Sequence, residues 1–370
     1  MTSPRFFTDP LSGATYPFKG QLTSAQMNQI LAGMRAIDYA LEWNQATSWP
    51  LVDVTLAAGC SAIALDKKWH RLVALISAVG DTSPNTYSIT IGGTSITSIG
   101  SPTAPAGGWT TAPGVVCSND TVTIIGGTTV NASNQKVATM TSDGTDFDIQ
   151  SMSNAEAGVG PTVMLWDPYN ELFIAGLDGT GATGKIETSA DGTSWSASTA
   201  STVATPIAGA TDGNGTTVLI LSGSGNVAMR STNGTTWSNV TLPETREWSC
   251  ITYSPGLGKW FAGDGWETGS ETGMNLNYAT SIDGITWSTQ AYTGMTHSPK
   301  LLGCTGNIVF ACNGYGNTEY ILAAEDGYTF KIVAQAAAST QLSAMFSSPE
   351  IIAVLSEAGT ELTASAYYAL

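Results

Sequence analysis

Three observations predict an all-β fold, a seven-bladed β-propeller: a phrase that recurs along the chain, seven evenly spaced turns, and two chain ends that complement each other. The phrase contains a Ser, an Asp-Gly or Asn-Gly pair, and a Thr or Ser followed by Trp. It is clearest at 189–195, 231–237 and 281–287, with looser copies at 142–147 and 325–330. Self-similarity with a period of this length is typical of stacked supersecondary units.

Each copy of the phrase is interpreted as a tight turn between two strands. Asp and Asn tolerate the left-handed region and bond to their own backbone, while Gly takes positive φ at little cost. The aromatic residue then supplies a large apolar anchor beneath the turn. The Asp, Asn and aromatic positions of the five copies have this structural role: Asp143, Phe147, Asp191, Trp195, Asn233, Trp237, Asp283, Trp287, Asp326 and Phe330.

These phrases resemble the Asp boxes of sialidase-type β-propellers, which lie on the turn between the third and fourth strands of a blade. In sialidases one residue usually separates the Asp from the Gly, whereas here the two are adjacent. The resemblance is therefore to the box family at large. It implies that the boxes serve folding and that catalysis, if there is any, lies elsewhere.

Seven further landmarks count the blades. Each is an apolar residue, a polar turn and then a run of apolar residues, and the landmarks begin at positions 65, 117, 166, 211, 253, 304 and 346. The apolar runs are nearly continuous, as expected for strands buried between neighbouring blades. Seven landmarks predict seven blades.

The two ends of the chain predict how the ring closes. The seventh unit ends before a box or a fourth strand could follow, while residues 45–49 match the box frame and 50–56 are typical of a strand. We therefore expect residues 49–56 to complete the seventh blade, which leaves few exposed strand edges. The predicted domains are an anchoring arm with a helix at 1–44 and the propeller at 45–370.

Composition limits the partners. The 370 residues include 13 Lys and Arg against 29 Asp and Glu, which gives a net charge of −16. Such a charge repels phosphate backbones and anionic membranes, so we expect neither nucleic-acid binding nor membrane insertion. Residues 1–10 lack the apolar segment of a secretory signal. The chain is therefore expected to reach the outside of a cell without a signal peptide.

Cysteine and histidine usage predicts neither a metal site nor a cofactor. The five cysteines form no spaced pair motif and are expected to be buried free thiols, although pairing of Cys304 with Cys312 across a hairpin remains open. The two histidines, His70 and His297, have no second His or Cys at ligand spacing.

The region before the propeller is interpreted as an anchor. Thr23 and Gln26 form a capping box, and an apolar series with alternating spacings of three and four residues predicts a helix. The helix packs on its own propeller or bundles with other subunits, and both alternatives remain open. The anchoring residues are aromatic or apolar: Phe6, Phe7, Tyr16, Phe18, Met27, Ile30, Met34, Ile37 and Leu41.

The sequence of residues 20–28 is similar to the sequences of the short arms by which bacteriophage fibre, spike and decoration proteins attach to the virion. This resemblance implies a virion protein that is made in the host cytoplasm. It further implies that the arm contacts other virion proteins and that the chain is an oligomer in the particle.

Sialidase chemistry is not expected. Members of that family use three arginines for the sugar carboxylate, and this chain has five arginines in all, of which Arg5 and Arg35 lie in the arm. Arg230 directly precedes a box, on the side of the blade where a sialidase site would not be.

The candidate binding surface is the loop face, opposite the boxes. Its aromatic and carboxylate residues are Trp248, Asp264, Trp266, Glu267, Tyr292, His297 and Tyr315. Aromatic rings beside carboxylates suit stacking on a sugar, acid/base hydrolysis, or contact with a protein. The sequence prediction is a non-enzymatic virion component, a tail or head fibre or a receptor-binding protein that contacts a host-surface glycan or protein. The alternative is a glycan-binding or polysaccharide-degrading propeller of the glycoside-hydrolase kind.

Overall fold

The computed structural model describes most of the propeller and two short pieces of the arm. The described ranges are 6–8, 15–17, 51–54, 60–69, 71–76, 85–90, 96–100, 109–129, 136–140, 144, 147–153, 160–178, 185–200, 204–223, 225–264, 277–295, 297–315, 318–335, 341–348, 351–357 and 362–368. All regular structure in these ranges is β-strand. No helix in them is long and apolar enough to cross a membrane.

The strands form seven sheets, the blades, each built on four antiparallel strands, and the sheet of blade 4 has a fifth, short strand that pairs in parallel with its last strand. Before them come β1 (Phe6–Thr8) and β2 (Thr15–Pro17), which pair as a hairpin, and β3 (Leu51–Val54). Blade 1 contains β4 (Cys60–Asp66), β5 (Arg71–Ile76), β6 (Asn85–Thr90) and β7 (Ile96–Gly100). Blade 2 contains β8 (Trp109–Ser118), β9 (Thr123–Thr129), β10 (Lys136–Met140) and β11 (Phe147–Ser151). Blade 3 contains β12 (Pro161–Asp167), β13 (Leu172–Leu177), β14 (Lys185–Ser189) and β15 (Ser196–Ala197).

The remaining blades repeat this meander. A short strand, β16 (Thr199–Ala200), precedes blade 4, which contains β17 (Pro206–Thr211), β18 (Thr217–Leu221), β19 (Gly225–Ser231) and β20 (Thr236–Arg246). Blade 5 contains β21 (Trp248–Ser254), β22 (Lys259–Asp264), β23 (Asn277–Ser281) and β24 (Ser288–Ala291). Blade 6 contains β25 (Leu301–Thr305), β26 (Ile308–Tyr315), β27 (Thr318–Ala324) and β28 (Lys331–Gln335). Blade 7 contains β29 (Gln341–Ser347), β30 (Ile351–Glu357) and β31 (Leu362–Tyr368), with β3 as its fourth strand.

The blades form a closed ring. The first strand of each blade contacts the first strand of the next, and β29 of blade 7 contacts β4 of blade 1. The fold is therefore the predicted seven-bladed β-propeller. The fourth strand of blade 7 comes from the other end of the chain, because β3 pairs antiparallel with β31, Leu51 opposite Ser365 and Val54 opposite Leu362.

The core lies between neighbouring blades. One cluster joins Val73 and Leu75 of blade 1 to Ile125 and Phe147 of blade 2, and similar clusters join each following pair of blades up to blades 6 and 7. The second strand of each blade supplies much of this core. The apolar runs of the second strands that were predicted to be buried are buried: 72–75, 124–125, 173–175, 218–220, 260–262 and 309–311. Cooperative stability therefore depends on adjacent blades staying in contact.

The predicted turns between third and fourth strands share one geometry. In blade 3, one oxygen of Asp191 accepts the backbone N–H groups of Thr193 and Ser194 at 2.8 and 2.7 Å. The indole N–H of Trp195 donates to the carbonyl of Gly192 at 3.0 Å. Asn233, Asp283 and Asp326 accept the equivalent pairs of N–H groups in blades 4, 5 and 6. The anchors are buried as expected: Phe147, Trp195, Trp237, Trp287 and Phe330. Asp143 lies outside the described residues.

The glycine of each turn rests on the preceding blade. Gly192 has φ of 77°, and a Cβ there would lie 2.5 Å from the side chain of Ile124 in blade 2. Gly234 repeats this against Leu172 of blade 3, with φ of 73°. A side chain at either position would be strained by the positive φ, and at position 192 it would also displace the end of the Ile124 side chain.

The cysteines follow the sequence prediction where they are described. Cys117, Cys250, Cys304 and Cys312 are free and buried. Burial raises the pKa of the Cys304 thiol to about 12. The open question of a Cys304–Cys312 bridge is answered by the strand register, in which Cys304 lies opposite Val309 and Cys312 opposite Leu301.

The arm is described only in part. Phe6, Phe7 and Tyr16 lie in the β1–β2 hairpin, with Phe7 opposite Tyr16. The predicted helix and the predicted domain boundary at residue 44 fall outside the described ranges. So do the other predicted anchoring residues: Phe18, Met27, Ile30, Met34, Ile37 and Leu41.

Removing the closing strand should open the ring. We expect a chain that lacks residues 1–57 to lose its cooperative thermal transition, because β31 would expose an unpaired edge and blade 7 would have three strands. A chain that lacks only residues 1–20 is the matched control and should melt as the full chain does. Differential scanning calorimetry distinguishes the two, and an intact transition after the longer deletion would show that β3 is dispensable.

The acid sensitivity of the turns provides a second prediction. The backbone N–H groups of Thr286 and Ile285 lower the pKa of Asp283 to about 2. An unfolded Asp titrates near 3.9, so this group stabilises the fold above about pH 4 and loses that contribution as the pH falls towards 2. Asp283→Asn should flatten the fall in unfolding free energy over this range, since the natural Asn233 shows that an amide oxygen accepts the same N–H groups.

The reciprocal variant Asn233→Asp should steepen the same fall, because it adds a carboxylate to a site with the same donors. Urea unfolding of both variants and the wild type between about pH 2 and pH 6 tests this pair of expectations. Equal pH dependence in all three proteins would contradict them.

Candidate functional site

The loop face of blades 4, 5 and 6 carries the predicted binding residues. The Asp/Asn-Gly turns join third to fourth strands, so the ends of second strands and the beginnings of first strands lie at the opposite face. Trp248 begins β21 and Asp264 ends β22, and the strand register places these two residues opposite each other. The chain therefore brings an aromatic and a carboxylate together at this face.

Arg246 is the centre of this group, although it is not among the binding residues predicted from the sequence. It ends β20, and its guanidinium is bonded to Asp264 at 3.0 Å and to Glu244 at 2.7 Å. The second oxygen of Glu244 accepts the Thr289 hydroxyl at 3.0 Å. Glu244 and Arg246 are two residues apart on one strand and share a face, which is the sequence signal that could have identified them.

The charges in this group stabilise one another. The hydrogen bond from Arg246 lowers the pKa of Glu244, and the Thr289 hydroxyl adds to this effect. Burial opposes the charged form of Arg246, but its hydrogen bond to Glu244 and the charge of Asp264 hold its pKa above the ordinary value. One oxygen of Asp264, Oδ1, is buried and has no hydrogen-bond partner among the described residues. Glu244, Arg246 and Asp264 therefore form an ion-pair network in which Asp264 Oδ1 remains able to accept a hydrogen bond.

Trp248 and Tyr292 are buried, with 4% and 3% of their surfaces exposed. The Trp248 indole donates to the carbonyl of Glu244 at 3.1 Å, and the guanidinium of Arg246 lies 5.8 Å from its ring centre. Tyr292 packs against Tyr278 with ring centres 5.1 Å apart, and burial raises its pKa. Neither ring offers a face to a sugar in this structure, so the stacking expected of these two residues is not supported.

The other predicted residues are placed as follows. His297 is partly buried, and its backbone carbonyl lies 3.5 Å from the Tyr292 hydroxyl and accepts the Asn313 amide at 3.1 Å. Tyr315 ends β26 opposite Thr318, at the same face of blade 6. Trp266 and Glu267 lie outside the described residues. Within the described ranges, no group of three His, Cys, Asp or Glu side chains is arranged to hold a metal ion.

The chain is similar to several solved β-propellers. YCF48 from Cyanidioschyzon merolae is 12% identical with a TM-score of 0.60, over 86% of this chain and 98% of that chain. A catalytically inactive virginiamycin B lyase from Staphylococcus aureus is 13% identical with a TM-score of 0.63, over 86% and 99% of the two chains. Hydrazine synthase from Kuenenia stuttgartiensis is 13% identical with a TM-score of 0.56, over 81% and 94%.

No protein-family model matches the chain, and no curated protein sequence matches it. The structural similarity establishes the propeller fold. At sequence identities this low it does not establish the activity, because one fold carries many unrelated functions. The similar structures include an antibiotic lyase and a propeller that was solved with a bound peptide.

Breaking the Arg246 network should destabilise blades 4 and 5. Arg246→Met leaves the partly buried Asp264 without its counter-ion, and we expect a loss of about 3 kcal/mol, at the low end for a buried pair because both carboxylates are partly exposed. Adding Asp264→Asn to this variant should restore part of the loss, since position 264 is then neutral and only the more exposed Glu244 is left without Arg246.

The matched control is Lys67→Met, which breaks the exposed Lys67–Asp120 pair at 3.3 Å and should cost less than about 1 kcal/mol. Chemical denaturation measures the unfolding free energy of Arg246→Met, of its double variant with Asp264→Asn, and of Lys67→Met. Equal effects of Arg246→Met and Lys67→Met would show that the network contributes no more than a surface pair.

Proposed function

We propose that this chain is a non-enzymatic structural protein of a bacteriophage virion, a tail or head fibre or receptor-binding component. Residues 1–44 attach it to other virion proteins, and the propeller contacts a protein or the host surface. One observation carries the proposal: the seven blades are completed by strands within residues 51–368. The β1–β2 hairpin is a separate sheet whose strands pair with each other. A segment that precedes the ring and belongs to no blade is suited to attachment.

The loop face supports contact more than catalysis. Asp264 is engaged by Arg246, and the aromatic rings of Trp248 and Tyr292 are enclosed, so the predicted acid/base pair lacks a stacking platform from these residues. A solved structure of YCF48 with a D1 peptide shows that a propeller of similar shape accommodates a peptide in that protein. Protein contact is the use that this geometry favours for the loop face.

The charge supports the location and partners in this proposal. A net charge of −16 disfavours nucleic acid and anionic membranes as partners and favours a soluble, particle-borne protein. On this proposal the chain is made in the host cytoplasm and becomes part of the particle during assembly, where it is an oligomer.

The proposal is tested by separating attachment from folding. Phage particles are assembled with the full chain or with a chain that lacks residues 1–20, and incorporation is measured by immunoblotting of purified particles. We expect the shortened chain to be absent from particles while its isolated form keeps the thermal transition of the full chain. Normal incorporation of the shortened chain would contradict the role of the arm.

The polysaccharide-degrading alternative is favoured by one observation: Asp264 Oδ1 has no hydrogen-bond partner among the described residues, and the second predicted carboxylate, Glu267, follows three residues later in the sequence. It is tested by measuring reducing sugar released from host polysaccharide by the purified chain. Glu267→Gln is the informative variant, because it leaves the Arg246 network intact. Release by the wild type that this variant abolishes would replace the structural proposal with a glycosidase.

A further inference from the structure

Three asparagines of the chain are followed directly by glycine, and the structure places them in different environments. They are Asn214 in the turn between β17 and β18, Asn233 in the Asn-Gly turn of blade 4, and Asn313 in β26. An Asn-Gly pair can react with itself, because a glycine lets its backbone nitrogen approach the carboxamide carbon of the asparagine without steric hindrance. The surroundings of each pair decide whether that approach can occur.

Asn313 is enclosed within blade 6. Its side chain is buried, and its Nδ2 donates to the carbonyl of His297 at 3.1 Å. The strand register fixes the backbone on both sides of the pair, with Asn313 opposite Tyr320 and Gly314 opposite Glu319. A rotation of the side chain or backbone would disrupt the pairing of β26 with β27, so this asparagine is protected.

Asn233 is exposed, but its carboxamide is held by the turn. Its Oδ1 accepts the N–H groups of Thr235 and Thr236 at 3.0 and 2.8 Å, and the Ser231 hydroxyl at 3.1 Å. The reaction requires the carboxamide to turn towards the nitrogen of Gly234, which would break these hydrogen bonds. Each broken bond raises the barrier, because its donor loses a partner. The geometry of the turn therefore protects Asn233.

Asn214 is exposed and its side chain is weakly held. Among the described residues, this side chain makes one hydrogen bond, from Nδ2 to the carbonyl of Asp212 at 3.3 Å. The backbone of the turn is fixed separately, because Asp212 Oδ1 accepts the N–H groups of Asn214 and Thr216 at 2.8 and 2.9 Å. The carboxamide can therefore rotate towards the nitrogen of Gly215 while the turn keeps its shape.

We propose that Asn214 is a site of spontaneous deamidation, a covalent modification that needs water and no enzyme. The backbone nitrogen of Gly215 loses its proton to hydroxide and attacks Cγ of Asn214. A bond forms between this nitrogen and Cγ, the bond from Cγ to Nδ2 breaks, and Nδ2 takes a proton and leaves as ammonia. The product is a cyclic succinimide, in which the Gly215 nitrogen is bonded to both carbonyl carbons of residue 214.

Water opens the succinimide at either carbonyl carbon. Addition at Cγ gives Asp, whereas addition at the backbone carbonyl carbon gives isoaspartate, in which the main chain runs through Cβ and Cγ. No atom is oxidised or reduced, since each asparagine consumes a water molecule and releases an ammonia molecule. Both products carry a carboxylate, so the modification adds negative charge to a turn that already contains Asp212.

The isoaspartate product would disturb the contact between blades 3 and 4. Gly215 lies against the ring of Tyr169, where an added Cβ would be 2.7 Å from the ring, and its carbonyl accepts the Asn170 amide at 3.3 Å. Isoaspartate lengthens the backbone directly before Gly215, which shifts this residue relative to both partners. The modification therefore affects a neighbouring blade, and it does not depend on the virion role proposed above.

The test incubates the purified full-length chain at mildly alkaline pH, either native or unfolded in guanidinium chloride. Trypsin then places the three asparagines in separate peptides, 186–230, 231–246 and 301–331. Mass spectrometry measures the conversion of each amide into a carboxyl group, and chromatography separates isoaspartate from Asp. A sample digested without incubation gives the background. In the unfolded chain all three asparagines should react at similar rates, because each is followed by glycine.

In the native chain, Asn214 should form both Asp and isoaspartate at least about tenfold faster than Asn233 or Asn313 reacts, because only the protected pairs must break hydrogen bonds or strand pairing first. Asn214→Gln should abolish the modification, since glutamine would have to close a larger ring. Asp283→Asn is the matched control, because it creates a second Asn-Gly turn of the kind that holds Asn233. It should resist deamidation as Asn233 does.

Three outcomes overturn the assignment. The first is a native chain that stays unmodified at Asn214 while the unfolded chain reacts there. The second is equal rates at Asn214 and Asn233 in the native chain, which would show that the turn gives no protection. The third is conversion of Asn214 into Asp without isoaspartate, which would exclude the succinimide. The thermal transition of the incubated chain establishes that it stays folded throughout.

Discussion

The contact between each Asp/Asn-Gly turn and the preceding blade is the constraint on which the ring depends. A side-chain oxygen of Asp191 or its equivalents fixes the turn, the glycine lets it approach the second strand of the preceding blade, and the aromatic anchor fills the interface below. The three elements act at one place, because a side chain at Gly192 would press on Ile124 of the preceding blade. The blades are therefore connected at their turns as well as along their first strands.

Much of the fold could be predicted from the sequence, because its determining features are local. An Asp-Gly pair followed by a Trp encodes a turn within a few residues, and runs such as 218–221 encode a buried strand without reference to the rest of the chain. The pairing of β3 with β31 joins distant segments, but the missing fourth strand of the last unit made it predictable. The helix and most of the arm lie outside the described residues, so those predictions stay as they were.

The candidate site was less predictable, since side-chain environments depend on residues that are far apart in the sequence. Trp248 and Tyr292 were expected to face a ligand, yet the packing of neighbouring blades encloses both. Asp264 was predicted as a ligand-binding carboxylate, but Arg246 from another blade pairs with it.

The four-residue strand β3 has a mechanical consequence if the arm is anchored in a particle. Leu51, the first residue of β3, is then the point at which the tether joins the ring, so tension between particle and host passes through its pairing with β31. The hydrogen bonds between β3 and β31 would both bear the force of attachment and keep the propeller ring closed. A force that exceeds the strength of this pairing would separate β3 from β31 and open the ring. The β3–β31 pairing would therefore set the largest force that the attachment can withstand.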